Sequence, residues 1–310
     1  MRIHLDTDLG GDTDDACALA MLLGWPGVEL VGITTTADPG GLRAGYVGHL
    51  LDLAGRDDIP VAAGATVSLS TLESADPIIG DKRHWPPEAR SRPSPPGAAL
   101  DLLARNIRRG ATVVAIGPLT NLALLEVLRP GTFVGVQVVA VGGWLPTRVE
   151  GLPTWGPEMD WNIAWDTKAA EIVAIRAEQL TLAPLPTMLK ATLRARDLPR
   201  LRASGPLGVL LADQASAHGA DFDMAAMGRS HAGLPDDLLN FQYDPVACAV
   251  AVGWTGVVIE ELPLQTVLGE HLRLLPDEAA RHIRVVVDLD GARFGDVWLT
   301  AVEAVHQLSS

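Results

Sequence analysis

The fold of this chain is decided near its start, where residues 3–20 read IHLDTDLGGDTDDACALA. Residues 3–5 are a short apolar run that predicts a buried strand, and the glycines behind it predict an exit loop. Residues 14–23 have helical spacing, with acidic residues in the first turn, where the helix dipole favours them. Strand, loop and helix in this order predict a β–α unit.

The same alternation continues along the chain. Residues 28–35 are β-branched and mostly apolar, as expected of a strand buried on both faces. Further strands are expected at 59–63, 112–116, 136–141, 180–183, 257–261 and 283–287, and helices at 41–54, 98–108, 119–127, 166–175, 207–217 and 244–252. Three long loops are expected at 68–96, 144–161 and 219–240. The alternation predicts an α/β fold with one doubly wound, Rossmann-like, mainly parallel sheet and helices on both faces, and residues 1–310 as a single domain.

Composition excludes several classes of protein. The 310 residues carry 38 acidic and 24 basic side chains, a net charge of −14, which argues against nucleic-acid and anionic-membrane partners because both reward a basic surface. Two cysteines exclude a disulfide scaffold and favour a reducing compartment. We see neither a secretory signal nor an apolar run long enough to span a membrane, and therefore expect a cytoplasmic protein.

The loop after the first strand is unusually acidic. Five carboxylates lie within ten residues: Asp6, Asp8, Asp12, Asp14 and Asp15. Like charges this close repel, and a divalent cation with oxygen ligands relieves them, calcium suiting a flexible carboxylate-rich loop better than magnesium. The loop matches an EF-hand poorly, because Gly10 and Cys17 stand where that loop needs ligands. A solvated turn before a helix N-terminus is the alternative.

Two families place Asp-x-Asp at the end of a first strand. Haloacid dehalogenase-like phosphatases usually continue with Gly-Thr, where this chain has Leu9-Gly10, and they need a downstream lysine, of which this chain has only three. The inosine–uridine type nucleoside hydrolases have Asp-x-Asp-x-Gly, followed shortly by Asp-Asp and an apolar helix. The chain closely resembles that signature at Asp6-Thr-Asp8-Leu-Gly10 and Asp14-Asp15, with two extra residues between the two parts.

Three further segments resemble the nucleoside hydrolases in the same order. They are Ile116-Gly-Pro-Leu-Thr120-Asn121, then Gly142-Gly143 with Asp160-Trp161-Asn162, and finally Tyr243-Asp244-Pro245. Each match alone is limited evidence for the family. Together with the N-terminal signature, however, the chain has four matches in the family's order, which argues against coincidence. The resemblance implies the doubly wound α/β fold of the nucleoside hydrolases. It also implies their reaction, in which the N-glycosidic bond of a purine or pyrimidine ribonucleoside is hydrolysed to ribose and free base.

The resemblance also implies roles for these residues. Calcium is expected on Asp8, Asp15, Asp244 and the backbone carbonyl of Thr120, with Asp8 as general base toward a water that the metal holds. The expected substrate-binding residues are Asp14, Asp38, Asp160, Trp161 and Asn162. Asp6 and Asp12 are expected to orient the ligands from behind. A homodimer or homotetramer is implied.

Three positions depart from the family pattern. Tyr243 replaces a histidine associated with the leaving base; it can donate a hydrogen bond there but is a poorer proton shuttle, so His84, His218 and His231 become candidates to substitute. Asp38 stands near the place of an asparagine, and Asp160 replaces a glutamate. Substrate preference therefore does not transfer. Three alternatives stay open: an N-ribosyl hydrolase for an unusual substrate, an aspartyl phosphatase with Asp6 as nucleophile, and a calcium-dependent ribosyl-binding protein without turnover.

Overall fold

A mixed β-sheet forms the centre of the molecule. The computed structural model describes residues 1–75, 84–146, 148–268 and 271–309, and within them the sheet has nine strands in the order β10–β9–β11–β6–β5–β4–β1–β2–β3. The bounds are β1 Arg2–Thr7, β2 Glu29–Thr35, β3 Val61–Ala63, β4 Thr112–Ala115, β5 Gln137–Val141, β6 Gln179–Ala183, β9 Val257–Leu268, β10 Leu272–Pro276 and β11 His282–Leu289. A separate antiparallel pair joins β7 Thr192–Arg194 to β8 Leu238–Phe241.

Seven neighbouring strands of the sheet, in the order β11–β6–β5–β4–β1–β2–β3, run parallel to one another. This confirms the doubly wound, mainly parallel sheet. The exception lies at one edge, where β9 pairs antiparallel with both β11 and β10. Strand β9 carries two adjacent pairs of polar residues, Glu260–Glu261 and Gln265–Thr266, and is more exposed than the buried parallel strands.

Helices cover both faces of the sheet. The longer ones are α1 Asp14–Gly24, α2 Leu42–Leu53, α3 Ala98–Arg108, α4 Thr120–Leu128, α6 Thr167–Arg176, α9 Gly205–Asp221, α11 Tyr243–Ala251 and α12 Gly291–Ser309; the shorter ones are α5 Trp161–Trp165, α7 Leu185–Met188, α8 Leu198–Ala203 and α10 Met224–Ser230. One apolar cluster joins α1, α9, α11 and α12 to the sheet, and a second joins α3, α4 and α6 to the opposite face. None of the helices in the described ranges is long and apolar enough to cross a bilayer.

Two sequence predictions were wrong at the element level. The expected loop at 219–240 contains α10 and most of β8. No helix was expected after residue 287, yet α12 packs along α1, with Trp298 donating from Nε1 to the carbonyl of Cys17 at 3.0 Å. Its buried residues Phe294, Trp298 and Val302 recur at helical spacing, which was a usable signal. Of the expected loop at 68–96, residues 76–83 lie outside the described ranges.

The sheet order places two strand ends side by side. Strand β1 has β2 on one side and β4 on the other, with Asp6 in register with both Thr34 and Ala115. The chain therefore winds away from β1 in two directions, which leaves a crevice beyond its carboxyl end. The acidic loop begins at that crevice.

Candidate active site

The loop between β1 and α1 is held by contacts from distant parts of the chain. The Thr7 hydroxyl donates to Asp15 and accepts the amide of Leu9. The Gly10 carbonyl accepts Trp85 Nε1 at 3.0 Å, with Gly10 itself at a φ of 140°. Further along, Asp12 Oδ1 accepts Asn240 Nδ2 at 2.6 Å. These anchors define the course of the loop and turn its later carboxylates toward a common space.

That space is a cavity of about 670 Å³. Nine of the twelve predicted site residues line it: Asp8, Asp12, Asp14, Asp15, Asp160, Trp161, Asn162, Tyr243 and Asp244. The other three, Asp6, Thr120 and Asp38, lie behind its walls. The walls also include residues that the sequence did not single out, among them Arg43, Met159, Trp165, Leu185 and Phe222.

Three carboxylates form the floor of the cavity. Asp14 and Asp15 come from the first turn of α1 and Asp244 from the first turn of α11, with ligand oxygens within 4.8 Å of one another. Burial, and then the neighbouring carboxylates, raise the pKa of each well above its usual value. Such a group is stable in the ionised form only beside a cation. The donor set is all oxygen, so it fits a hard divalent ion.

Asp8 is not one of these three carboxylates. It lies beside Arg43, the basic side chain of the described cavity lining. Its Oδ2 is 3.8 Å from Nη1 of Arg43, a buried side chain that also donates from Nε to the Ala37 carbonyl at 2.8 Å. Burial raises the pKa of Asp8, and the Arg43 guanidinium acts in the opposite direction. Arg43 could not be singled out from the sequence, because arginine on a helix normally faces solvent.

The structure assigns Asp38 a different place from the predicted one. Its carboxylate accepts the Thr35 hydroxyl at 2.6 Å and the backbone amides of Arg43 at 2.8 Å and Ala44 at 3.1 Å. Three donors engage both oxygens, and Asp38 does not line the cavity. It holds the start of α2 and so positions Arg43, and its role toward a substrate stays a prediction.

Asp6 and Thr120 support the site from behind. Asp6 accepts the Thr34 hydroxyl and Asn121 Nδ2, and burial raises its pKa to about 7. The Thr120 hydroxyl donates to Asp166 at 2.7 Å, which fixes the start of α4. Gly117, just before that helix, leaves no room for a side chain, since a Cβ there would lie 2.6 Å from Asp8 Oδ1. The metal-binding role of the Thr120 carbonyl stays a prediction.

The opposite wall is built by the segment from Met159 to Trp165. Asp160 accepts the Gly143 amide at 2.7 Å and the Ile163 amide at 3.2 Å, so it caps α5, and burial raises its pKa to about 7. Asn162 donates from Nδ2 to the Ile116 carbonyl at 2.7 Å, at the end of β4. Trp161 stacks on Trp165 with ring centroids 6.0 Å apart and is 45% exposed. The wall is thus polar at its base and aromatic at its mouth.

Comparison with known proteins now identifies the family. The sequence model of the family described as "Inosine-uridine preferring nucleoside hydrolase" matches residues 3–298. The chain belongs to this family. It is an enzyme of the class that hydrolyses N-glycosyl bonds, which rules out the alternative of an aspartyl phosphatase.

Curated sequences and solved structures of nucleoside hydrolases are similar to this nucleoside hydrolase. The pyrimidine-specific ribonucleoside hydrolase RihA of Salmonella schwarzengrund (strain CVM19633) is 34% identical over 223 residues, covering 69% of this chain and 70% of its own length. RihA of Citrobacter koseri is 34% identical over 227 residues, covering 69% of each chain. The purine-preferring ribonucleoside hydrolase of Gardnerella vaginalis superposes with a TM-score of 0.79 at 23% identity, over 99% of this chain and 100% of its own. A plant nucleoside hydrolase, PpNRh1, superposes with a TM-score of 0.77 at 22% identity, over 97% of this chain and 98% of its own.

Tyr243 departs from the nucleoside hydrolase pattern inside the cavity. Its hydroxyl is buried without a hydrogen-bond partner among the described residues, and burial, followed by the charge of Asp12, raises its pKa well above 10. None of the three candidate histidines lines the described cavity wall. His218 comes nearest, with Nδ1 3.6 Å from Asp12 Oδ1, while His84 contacts Asp221 and His231 bonds to the end of α10.

Proposed function

We propose that this protein is a calcium-dependent ribonucleoside hydrolase, which releases a purine or pyrimidine base and ribose. The observation that carries the proposal is the group of buried carboxylates, Asp14, Asp15 and Asp244, at the floor of an open cavity in a chain of the nucleoside hydrolase family. Isolated buried carboxylates are unstable, so a cation is expected between them.

The residues expected to hold calcium are Asp8, Asp15, Asp244 and the Thr120 carbonyl, with Asp14 facing the ribose hydroxyls. Calcium is preferred over magnesium because all the donors are protein oxygens on separate segments, which suits an ion with a flexible, larger coordination shell. A calcium ion at this position supplies a positive charge that orients the ribose and lowers the pKa of a neighbouring water.

The chain's own residues account for the remaining chemistry. Asp8 accepts the proton of the attacking water, and Arg43 holds it in place and favours its ionised form. Asp14 and Asn162 hold the ribose between the floor and the α5 wall, while Asp160 fixes the Gly142–Gly143 turn beside it. The carboxylates stabilise the oxocarbenium-like sugar as the bond to the base breaks. Tyr243 donates a hydrogen bond to the departing base, and Trp161 covers its ring.

The proposal is tested by measuring ribose released from a panel of purine and pyrimidine nucleosides, with added calcium and with a chelator. Calcium-dependent release is expected, restored after chelation by calcium more fully than by magnesium. Binding of ribosides without release would support the non-catalytic alternative and contradict the proposal. Release that persists in excess chelator would contradict its metal dependence.

Changing Asp8 to asparagine should lower kcat by a factor of about 10² to 10⁴, the usual contribution of a positioned general base. Asp58→Asn is the matched control, because that aspartate pairs with Arg56 on the surface, away from the cavity lining. Both variants should keep the thermal midpoint of the parent within a few degrees. Full activity in Asp8→Asn would refute the assigned role.

Two further properties are proposed on the family resemblance and composition alone. We expect a homodimer or homotetramer, which sedimentation in the presence of calcium measures. We also expect a cytoplasmic location, consistent with two buried free cysteines, Cys17 and Cys248. Fractionation of the source cells tests the second expectation.

A further inference from the structure

We propose that the preferred substrates are ribosides whose leaving base carries a positive charge, such as an N-ribosyl pyridinium or an N7-alkylated purine. The inference rests on the proposed function, because it concerns the same cavity. Three observations support it: the charge of the cavity, its aromatic mouth and the absence of a conventional proton donor from its described wall.

The cavity is rich in negative charge. Six carboxylates and one guanidinium, that of Arg43, belong to its described lining. A divalent ion held by Asp8, Asp15 and Asp244 would offset two of the six negative charges, and Arg43 offsets one more. Excess negative charge remains on the walls. A neutral base gains nothing from that field, whereas a cationic base is attracted by it.

Asp12 is the carboxylate best placed for such a base. It lines the cavity, its side chain is 38% exposed, and it is not part of the group of three on the floor. Asn240 holds Oδ1 at 2.6 Å, so the carboxylate is fixed in position rather than mobile. A fixed carboxylate at the same cavity as Tyr243 provides a counter-charge to the base.

Aromatic rings surround the mouth of the cavity. Trp161 and Trp165 stack on one another at the edge of the α5 wall, and Phe222, 65% exposed, lines the cavity from the end of α9. A flat cationic heterocycle over such rings gains cation–π attraction in addition to apolar contact. The exposure of Phe222 is explained if a ligand covers it.

The described wall offers neither histidine nor lysine to protonate a leaving base. A neutral purine or pyrimidine leaves with the electron pair of the broken C1′–N bond and becomes an anion that needs a proton. A cationic base takes the same pair onto its positive nitrogen and leaves neutral. Water then adds its oxygen to C1′ and gives up one proton, which Asp8 accepts and passes to solvent, so charge and atoms balance.

The matched substrates are inosine and 7-methylinosine, which share one ring system and differ by the positive charge that methylation places on the imidazole ring. For each we would measure kcat/KM with calcium and divide it by the rate of uncatalysed hydrolysis at the same pH, since the methylated compound is intrinsically less stable. We expect the quotient to favour 7-methylinosine by at least about tenfold, and nicotinamide riboside to be hydrolysed as well. A quotient that favours inosine would overturn the proposal, even if inosine is a good substrate. Release from neither series would overturn the proposed function with it.

Three variants separate the causes. Asp12→Asn should lower the preference for the cation about tenfold, while Asp213→Asn, which removes the same charge from an exposed ion pair on α9, should leave it unchanged. Phe222→Leu should lower kcat/KM for nicotinamide riboside more than for uridine. Tyr243→His should raise release from inosine relative to 7-methylinosine.

His218 provides the competing explanation, because its Nδ1 lies 3.6 Å from Asp12 and could supply a proton through it. The contradicting result is a His218→Gln variant that lowers kcat for inosine at least as strongly as Asp12→Asn and leaves kcat for 7-methylinosine unaffected. It would show that the enzyme has a general acid for the leaving base, and the proposal would be wrong. Equal effects on both substrates are expected instead.

Discussion

Arg43 is the single cation among the described residues of the cavity wall, and it lies against the residue assigned as general base. Without it, Asp8 would be a buried carboxylate next to other carboxylates, and burial would favour its protonated form. Arg43→Gln should therefore lower kcat about 10- to 100-fold, with partial recovery in Arg43→Lys, as measured by initial rates at saturating nucleoside. Equal activity of parent and Arg43→Gln would show that Asp8 needs no partner.

His4 predicts the direction of a pH effect on stability. It is fully buried on β1, accepts Asn106 Nδ2 at Nδ1 and contacts the Thr34 hydroxyl through Nε2, each at 3.0 Å. Burial, followed by the charge of Arg105, lowers its pKa from 6.5 to about 3. Below pH 6.5 the unfolded chain binds a proton at this residue that the folded protein does not, so the group destabilises the fold by about 1.4 kcal/mol per pH unit as the pH falls toward 3.

His4→Gln should remove that contribution. Its free energy of unfolding, from urea titrations between pH 7 and 4.5, should fall less steeply with decreasing pH than that of the parent. His282→Gln, at an exposed histidine on β11, is the control and should keep the parent slope. Parallel slopes for all three proteins would show that His4 is protonated in the folded state.

At this scale the sequence predicted residue types better than side-chain directions. The acidic residues of the first loop were singled out because they cluster in the sequence, and Asp244 because its segment resembles the family; the structure brings Asp14, Asp15 and Asp244 together. The contacts of Asp38 were not predicted, because two backbone amides of the following helix and the Thr35 hydroxyl donate to it, which spacing does not reveal. Arg43 was missed because a buried arginine and a solvent-facing one look alike on a helix.

The loop between β4 and α4 is the element that limits space beside Asp8. A Cβ at Gly117 would lie 2.6 Å from Asp8 Oδ1 and 2.8 Å from its amide nitrogen. Gly117→Ala should therefore displace Asp8 and lower kcat at least about tenfold, while Gly295→Ala, on α12 with open space around it, should leave kcat unchanged and stabilise the fold by about 0.5–1 kcal/mol. Normal kinetics in Gly117→Ala would mean that the base tolerates movement.

Helices α1 and α11 are the elements that a bound ion would join. Calcium should raise the thermal midpoint of the parent protein, and Asp244→Asn should lose most of that shift because one of the three floor carboxylates is removed. The change should be followed by scanning fluorimetry over a calcium titration. Asp213→Asn should retain the full shift, and an unchanged shift in Asp244→Asn would place the ion elsewhere.

The elements around the site were predictable to different degrees. The β–α units up to β6 were predicted to within a few residues, because buried parallel strands and amphipathic helices have distinct periods. The segments around α10, β7 and β8 were not, since they are short and pack on α9 and on each other rather than on the main sheet. Tertiary contacts determine such short elements more than local propensity does.

At the scale of the whole molecule, α12 completes the layer that holds α1. Trp298 is fully buried and bonds to the Cys17 carbonyl, three residues after Asp14. Trp298→Ala should lower the free energy of unfolding by about 3–5 kcal/mol, measured by urea titration, because it leaves a large cavity beneath α1. Trp161→Ala, at an exposed tryptophan, should cost far less. Similar losses for both would show that α12 contributes little to the layer.

The carboxylates of the floor come from opposite ends of the chain. Asp15 and Asp244 are more than two hundred residues apart in the sequence, so their charges repel one another little while the chain is unfolded. Their repulsion arises only when α11 docks against α1, a contact of high sequence separation that we expect to form late in folding. A cation that relieves it therefore acts after the rate-limiting step, and calcium should slow the unfolding of this protein far more than it accelerates refolding. The ion would therefore lengthen the lifetime of the native state rather than guide its formation.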